Sequence, residues 1–76
     1  MLLRMPKIGM EMTEAVLARW LVADGALVAK GQPLYEIETD KVSNEIESPA
    51  AGRLRRIAEE GLTYLVGEPL AELLDQ

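Results

Sequence analysis

Lys41 lies in the run Glu36-Ile37-Glu38-Thr39-Asp40-Lys41-Val42, a short polar tip with apolar, strand-like residues on either side. The chain has three lysines, Lys7, Lys30 and Lys41, and only Lys41 is flanked by two such runs. A primary amine held into solvent on a rigid hairpin is one that an attaching enzyme can select, because function sits well on a loop that a scaffold positions. The chemistry suited to this placement is covalent attachment of a carrier group. Lys41 is the candidate attachment point.

Composition narrows the alternatives. The chain has 76 residues and 49% apolar content, enough for one domain and one core. A chain of this length buries roughly 60% of the surface that its unfolded form exposes, so the core must be used efficiently. There is no cysteine, hence no disulfide and no thiolate metal site. There is no histidine, which excludes Ser-His-Asp and Cys-His nucleophile systems and histidine-ligated zinc. No Asp-x-Asp-x-Asp-Gly run for calcium is present. Catalysis by the chain alone is therefore not expected.

A net charge of −5 disfavours nucleic acid as a partner. The cluster Arg53, Arg55 and Arg56 reads as a solvated strand face, since no wider basic field supports it. The start Met1-Leu2-Leu3-Arg4-Met5-Pro6 lacks the apolar core of a secretory signal, and no stretch approaches the ~20 apolar residues of a membrane span. The expectation is a soluble chain with no membrane partner, in the cytoplasm or, in a eukaryote, the mitochondrial matrix.

The elements that must position Lys41 come from an internal repeat. Gly25 to Ile37 and Gly61 to Leu73 align without a gap, matching Gly25 with Gly61, Gly31 with Gly67, Pro33 with Pro69, Leu34 with Leu70 and Glu36 with Glu72. An acidic residue, Asp24 or Glu60, precedes the first glycine of each copy. Two copies are too few for a solenoid. They predict a pseudo-two-fold fold, with the repeat spanning about 16–40 and 53–76 of a single domain over 1–76. The same offset carries Asp40 to Gln76 and Lys41 back to Met5 in the first strand, so the lysine hairpin becomes the symmetry mate of the paired chain ends. It should lie at the opposite end of the domain from both.

Local signals are those of strands. Val16 to Val22 and Leu54 to Ala58 alternate in part before a glycine turn, and Leu34 to Thr39 and Val42 to Ser48 alternate about the Asp40-Lys41 tip. Glycines and prolines recur every few residues, which leaves little room for a helix. The best helical rival is Thr13 to Ala23, with Thr13 as cap. The expected class is all-β, with strands wrapped to hide their edges.

Period-two alternation places Tyr35 and Ile37 on one face and Glu36 and Glu38 on the other. On the next strand Val42, Asn44 and Ile46 oppose Ser43, Glu45 and Glu47. The outer glutamates keep a β domain soluble, and they also offer basic partners an acidic surface around the hairpin. Asn44, polar on an apolar face, needs backbone partners or a place near the sheet rim. Trp20 reads as core, with its N–H at a polar edge.

These residues resemble a known family. Met5-Pro6-Lys7-Ile8-Gly9-Met10-Glu11-Met12-Thr13-Glu14 is similar to the opening strand and loop of lipoyl domains from 2-oxo acid dehydrogenase acyltransferases. Glu36 to Lys41 resembles their lipoylation hairpin, and Ser48-Pro49-Ala50-Ala51-Gly52 the turn that follows. The resemblance implies a flattened barrel, a barrel-sandwich of two four-stranded antiparallel sheets. It implies lipoate in amide linkage on Lys41, with Asp40 and Val42 in the flanking positions that a lipoate ligase or lipoyl transferase inspects. It implies a recognition surface for the thiamine-diphosphate-dependent decarboxylase at Gly9, Met10, Glu11, Met12 and Thr13, with Glu38 and Thr39 beside it. The further partners implied are the acyltransferase core and dihydrolipoamide dehydrogenase of a pyruvate, other 2-oxo acid or acetoin dehydrogenase complex. Met10-Glu11-Met12 favours the acetoin or pyruvate type.

Some positions depart from the family pattern. Ala15 stands where glycine is common, Val42 where alanine is, Leu62 in place of an acidic turn residue and Leu65 in place of proline. The second repeat is one residue short between Gly52 and Gly61. Two other readings remain at this point. A biotinyl carrier domain shares the architecture but usually reads Met-Lys-Met at the hairpin, against Asp40-Lys41-Val42 here. An unmodified β binding module is the default for a turn lysine taken at random. The chain ends near the last expected strand with no linker, as a piece cut from a longer chain would.

Overall fold

Period-two alternation becomes eight strands in the computed structural model, which describes residues 1–75. In chain order they are β1 (Leu2–Arg4), β2 (Glu14–Trp20), β3 (Leu27–Val28), β4 (Pro33–Glu38), β5 (Ser43–Glu47), β6 (Gly52–Arg56), β7 (Thr63–Leu65) and β8 (Pro69–Leu74). They form two antiparallel four-stranded sheets, ordered β1-β8-β6-β3 and β5-β4-β2-β7. The expected all-β class and two-sheet barrel-sandwich are both observed. Inward positions pack one core between the sheets, including Leu17, Leu34, Tyr35, Ile37, Leu54 and Leu70, each at most 2% exposed. Trp20 is buried too. Its indole meets Tyr35 edge-on at 5.2 Å and its N–H donates to the Ala58 carbonyl at 3.1 Å.

The repeat is realised strand for strand. β3 corresponds to β7, β4 to β8, β2 to β6 and β1 to β5, so each half supplies two strands to each sheet. Gly25 and Gly61 both adopt φ 84°, and Gly31 and Gly67 adopt 86° and 91°, left-handed turn conformations that a side chain would strain. The acidic residues before the first glycine of each copy have a reciprocal job. Glu60 Oε1 accepts the Trp20 N–H and Asp24 Oδ1 accepts the Arg56 N–H, both at 2.7 Å. Each half thus caps the end of a strand in the other. Trp20 and Arg56 are themselves mates, and the Arg56 guanidinium lies 5.0 Å over the indole.

Several expectations need correction. Thr13 to Ala23 is no helix: β2 is an inner strand between β4 and β7, and its backbone groups are paired on both sides. The strands expected at Val16–Val22 and Leu54–Ala58 begin and end two residues earlier. Beyond them bonding to the neighbouring strand comes down to Leu21 N–H with Leu34 O and the Ile57 and Ala58 N–H groups with Leu70 O, while on the opposite edge the Trp20 and Arg56 backbone N–H groups go to Glu60 and Asp24. The one-residue shortfall of the second repeat between Gly52 and Gly61 is observed and falls in a strand, since β2 carries a residue that β6 lacks. The β2–β4 register slips between Leu17 and Arg19, a bulge that absorbs the extra Ala18, whereas β6 pairs with β8 without a break.

The sequence offset also misplaces the mate of the hairpin. Met5 lies beyond β1, and its mate is Ser48: Met5 N–H donates to Glu68 O as Ser48 N–H donates to Gln32 O. Asp40 is carried to Gln76, outside the described residues. The conclusion about the ends nevertheless holds. Met1 and Leu73 exchange backbone bonds of 2.7 and 2.9 Å where the hairpin pairs Asn44 with Ile37. β5 runs away from the hairpin to Glu47, and after four intervening residues Gly52 opens β6 beside Leu74. Met1 and Leu74 therefore lie at the opposite end of the body from Lys41, and the body measures 36 Å along its longest axis.

Candidate functional site

Among the described residues β4 and β5 are the only consecutive strands paired in one sheet; every other connection crosses between sheets. That isolates Lys41. Lys7 lies on the β1–β2 crossing and Lys30 on the β3–β4 crossing, where the Gln32 side chain and backbone close a turn on Ala29. All three lysines are exposed, so exposure alone does not single out Lys41. Its place on a hairpin tip does.

The tip is four residues wide, Thr39 to Val42, slightly broader than the alternation suggests. Thr39 N–H donates to Val42 O at 2.8 Å. The favoured two-residue hairpin turns need φ > 0 at the first central residue or at both. Here positive φ is confined to glycines, so Asp40 and Lys41 stay in ordinary conformations. The Thr39 hydroxyl compensates by accepting the N–H groups of Lys41 and Val42 in long bonds of 3.4 and 3.3 Å. Threonine closes such turns through its side chain. This bracing role for Thr39 was readable from its position two residues before Lys41, yet sequence reasoning assigned it only to recognition. Asp40, Lys41 and Val42 are all exposed, Val42 by 50%.

Beside the tip runs the β1–β2 loop. Its base is fixed by bonds between Met5 and both Gly67 and Glu68, and by Val66 N–H donating to Thr13 O. Its apex folds through Met12 N–H to Gly9 O and Ile8 N–H to the Met12 sulfur, each 3.2 Å. Met10 projects at the apex, 93% exposed.

Loop and hairpin face one open hollow, lined by residues 8–16 and 37–42 with Asn44 and Thr63. Every residue singled out in the sequence is on it: Gly9 to Thr13, Glu38, Thr39, Asp40, Lys41 and Val42. Val16 and Thr63, brought in by β2 and β7, were not foreseen, because only the sheet order places them there. Asn44 sits half-buried on the outermost strand of its sheet, at the rim as expected. Glu11, Glu14, Glu38 and Asp40 make the surround acidic. Amide attachment of a carboxylic acid requires a primary amine that a partner enzyme can reach, and Lys41 meets that requirement.

Comparison with known proteins agrees with this arrangement. The Biotin_lipoyl family profile, described as biotin-requiring enzyme, matches residues 2–73. The chain is 40% identical over 74 residues to the dihydrolipoyllysine-residue acetyltransferase component of the acetoin cleaving system of Pseudomonas putida, covering 96% of this chain and 20% of that protein. It is 43% identical over 72 residues to the acetyltransferase component of the pyruvate dehydrogenase complex of Corynebacterium glutamicum, covering 93% and 11%. It is 40% identical over 70 residues to the lipoamide acyltransferase component of the branched-chain alpha-keto acid dehydrogenase complex of Bacillus subtilis, covering 91% and 16%. The chain thus spans a fifth or less of the length of these relatives. By profile and by identity along nearly its whole length, the chain belongs to the biotin and lipoyl attachment-domain family, alongside the domains of dihydrolipoyllysine acyltransferases.

Proposed function

We propose that this chain is a lipoyl carrier domain and that Lys41 holds lipoate in amide linkage. The observation that carries the reading is the placement of Lys41 at the tip of the hairpin, at the far end of the body from the chain ends. Lipoate, once attached, supplies a dithiolane that can accept an acyl group together with two electrons. The protein's own residues do the rest. β4 and β5 hold the amine off the body, and the Thr39 hydroxyl braces the tip. Asp40 and Val42 flank the amine where a lipoate ligase or lipoyl transferase would read it.

Lysine plus lipoate makes an arm of about ten single bonds, reaching on the order of 14 Å. Tethering at the chain ends raises the local concentration of the arm at successive active sites. Those sites would belong to a thiamine-diphosphate-dependent decarboxylase, an acyltransferase core and dihydrolipoamide dehydrogenase; the relatives, named as acyltransferase components of dehydrogenase complexes and of an acetoin cleaving system, support the acyltransferase setting. Residues 9–13 with Glu38 and Thr39 form the surface for the decarboxylase, aided by electrostatic steering from the surrounding carboxylates. The chemistry lies in the attached group and in those enzymes, and the domain contributes placement and recognition. Asp40-Lys41-Val42 favours lipoate over biotin, whose carriers usually present Met-Lys-Met.

Incubation of the purified chain with lipoate and a lipoate ligase tests the assignment. Lys41→Arg should take up no lipoyl group while unfolding at an unchanged temperature. Lys7→Arg and Lys30→Arg should be modified fully. Uptake by Lys41→Arg would move the site to another lysine.

A further inference from the structure

The two ends of the molecule are related by the internal symmetry, yet one end carries extra chain. Met5 and Ser48 are mates, and Ala15 and Gly52 are mates: Ala15 pairs with Tyr64 on β7 as Gly52 pairs with Val28 on β3. Between Ser48 and Gly52 the chain needs only residues 49–51. Between Met5 and Ala15 it spends residues 6–14. The frame closes equally well with the short link, so the longer loop is not required by packing. It exists only at the lysine end, and it builds one wall of the hollow.

That wall is apolar where it could have been polar. Met10 is 93% exposed and Ile8 44%, and Val42 faces them from the hairpin at 50%. Met12 and Val16 sit deeper, half-buried. Lys41 itself lines the hollow, so anything attached to its amine starts within the site. The carboxylates of Glu11, Glu14, Glu38 and Asp40 surround it, and amide formation removes the one lysine charge among them. The hollow then suits an apolar ligand without negative charge. Methionine side chains are adaptable and polarizable, well matched to sulfur.

We infer, building on the lipoyl reading, that this hollow is a seat for the dithiolane ring of the domain's own arm. The arm then has two states, one docked against Ile8, Met10, Met12 and Val42 and one extended into solvent. Attachment through Lys41 gives the ring a local concentration in the millimolar range, so weak contacts suffice to populate the docked state. A neutral ring is accepted, and free lipoate, a carboxylate, is disfavoured by the acidic surround. Residues 8–12 then serve twice, covering the ring in one state and facing a partner in the other.

The test uses the chain lipoylated at Lys41, with the same chain acetylated at Lys41 as a control that loses the charge but gains no arm. Methyl-labelled methionines are read by NMR, and the rate of ring reduction by a soluble phosphine is measured. Docking predicts nuclear Overhauser contacts from ring protons to the Met10 and Met12 methyls. It also predicts ring reduction that accelerates about twofold to tenfold in Met10→Ser, because only the undocked fraction reacts. Leu62→Ser, an exposed leucine outside the hollow, should leave both readouts unchanged. A lipoylated chain whose methionine methyls match the acetylated control, and whose ring reacts equally fast in Met10→Ser, overturns the seat while leaving the carrier role intact. A chain that shows no lipoyl mass on Lys41 after ligase treatment overturns the carrier reading and the seat with it.

Discussion

On the sheet that holds the chain ends, Leu27, Arg53 and Leu74 sit side by side across β3, β6 and β8, and Leu2, Glu72 and Arg55 across β1, β8 and β6. On the sheet that holds the lysine hairpin, the mates of these residues are Thr63, Val16 and Glu38, and Glu45, Glu36 and Arg19. The exposed leucines of one sheet become two glutamates and a threonine on the other. The interior changes far less: Leu17 matches Leu54, Leu34 matches Leu70 and Ile37 matches Leu73, all nearly inaccessible to water. Even the cross-strand ion pairs persist, Arg19 with Glu36 and Arg55 with Glu72, although exposed pairs of this kind contribute little. Packing and turn geometry restrict both halves alike, and the outer faces are free to diverge. The site lies where divergence is greatest, at the hairpin and the surplus loop.

Two mated positions offer the sharpest way to break this comparison. Ala15 is an alanine at 3% exposure, whereas a Cβ on Gly52 would stand 2.5 Å from the Leu74 carbonyl oxygen and 3.1 Å from the Leu73 side chain. Gly52→Ala should therefore cost about 3 kcal/mol, the upper end for overpacking against backbone. Ala15→Gly should cost only about 1 kcal/mol. Urea unfolding of the two variants reads the difference, and equal losses would mean that the close approach at Gly52 is not what requires glycine.

The core is also asymmetric at one pair of mates, Tyr35 and Ala71, both buried. Burial pushes the Tyr35 hydroxyl up to about 12 from its ordinary 10.0. The folded state thus holds the phenolic proton more tightly than the unfolded chain. Stability is intact below pH 10, falls as the pH rises from 10 to 12, and levels off beyond. The loss should reach roughly 2–3 kcal/mol for a shift of this size. Denaturation midpoints measured against pH should show this slope, and Tyr35→Phe, which keeps the ring, should flatten it.

A smaller effect sharpens the comparison at the reciprocal caps. Glu60→Ala and Asp24→Ala each remove one carboxylate acceptor from a backbone N–H, a loss of about 1–2 kcal/mol. The Trp20 N–H is part-buried and the Arg56 N–H exposed, so Glu60→Ala should be the more damaging in thermal unfolding. The reverse order would contradict the role given to burial.

Much of this was legible in the chain. The gapless match of Gly25–Ile37 with Gly61–Leu73 carried the two-fold plan, because turns that need positive φ admit little but glycine. Period-two alternation carried the faces of β4 and β5. What stayed hidden depends on pairing across the fold. Ala18 looks like any strand residue, and its bulge exists only because β2 must keep register with β4. Asp24 and Glu60 were visible as a repeated acid, but their targets lie in the opposite half. Likewise, nothing in the sequence near Thr63 connects it with Lys41, since β2 alone brings β7 to the hollow.

The most direct test of the central claim is the intact mass of the chain produced in cells supplied with lipoate, followed by fragmentation to locate any added mass. The account predicts a lipoyl increment on Lys41 and none on Lys7 or Lys30. A biotinyl increment at the same residue, or an unmodified Lys41 in cells that lipoylate other proteins, would contradict it.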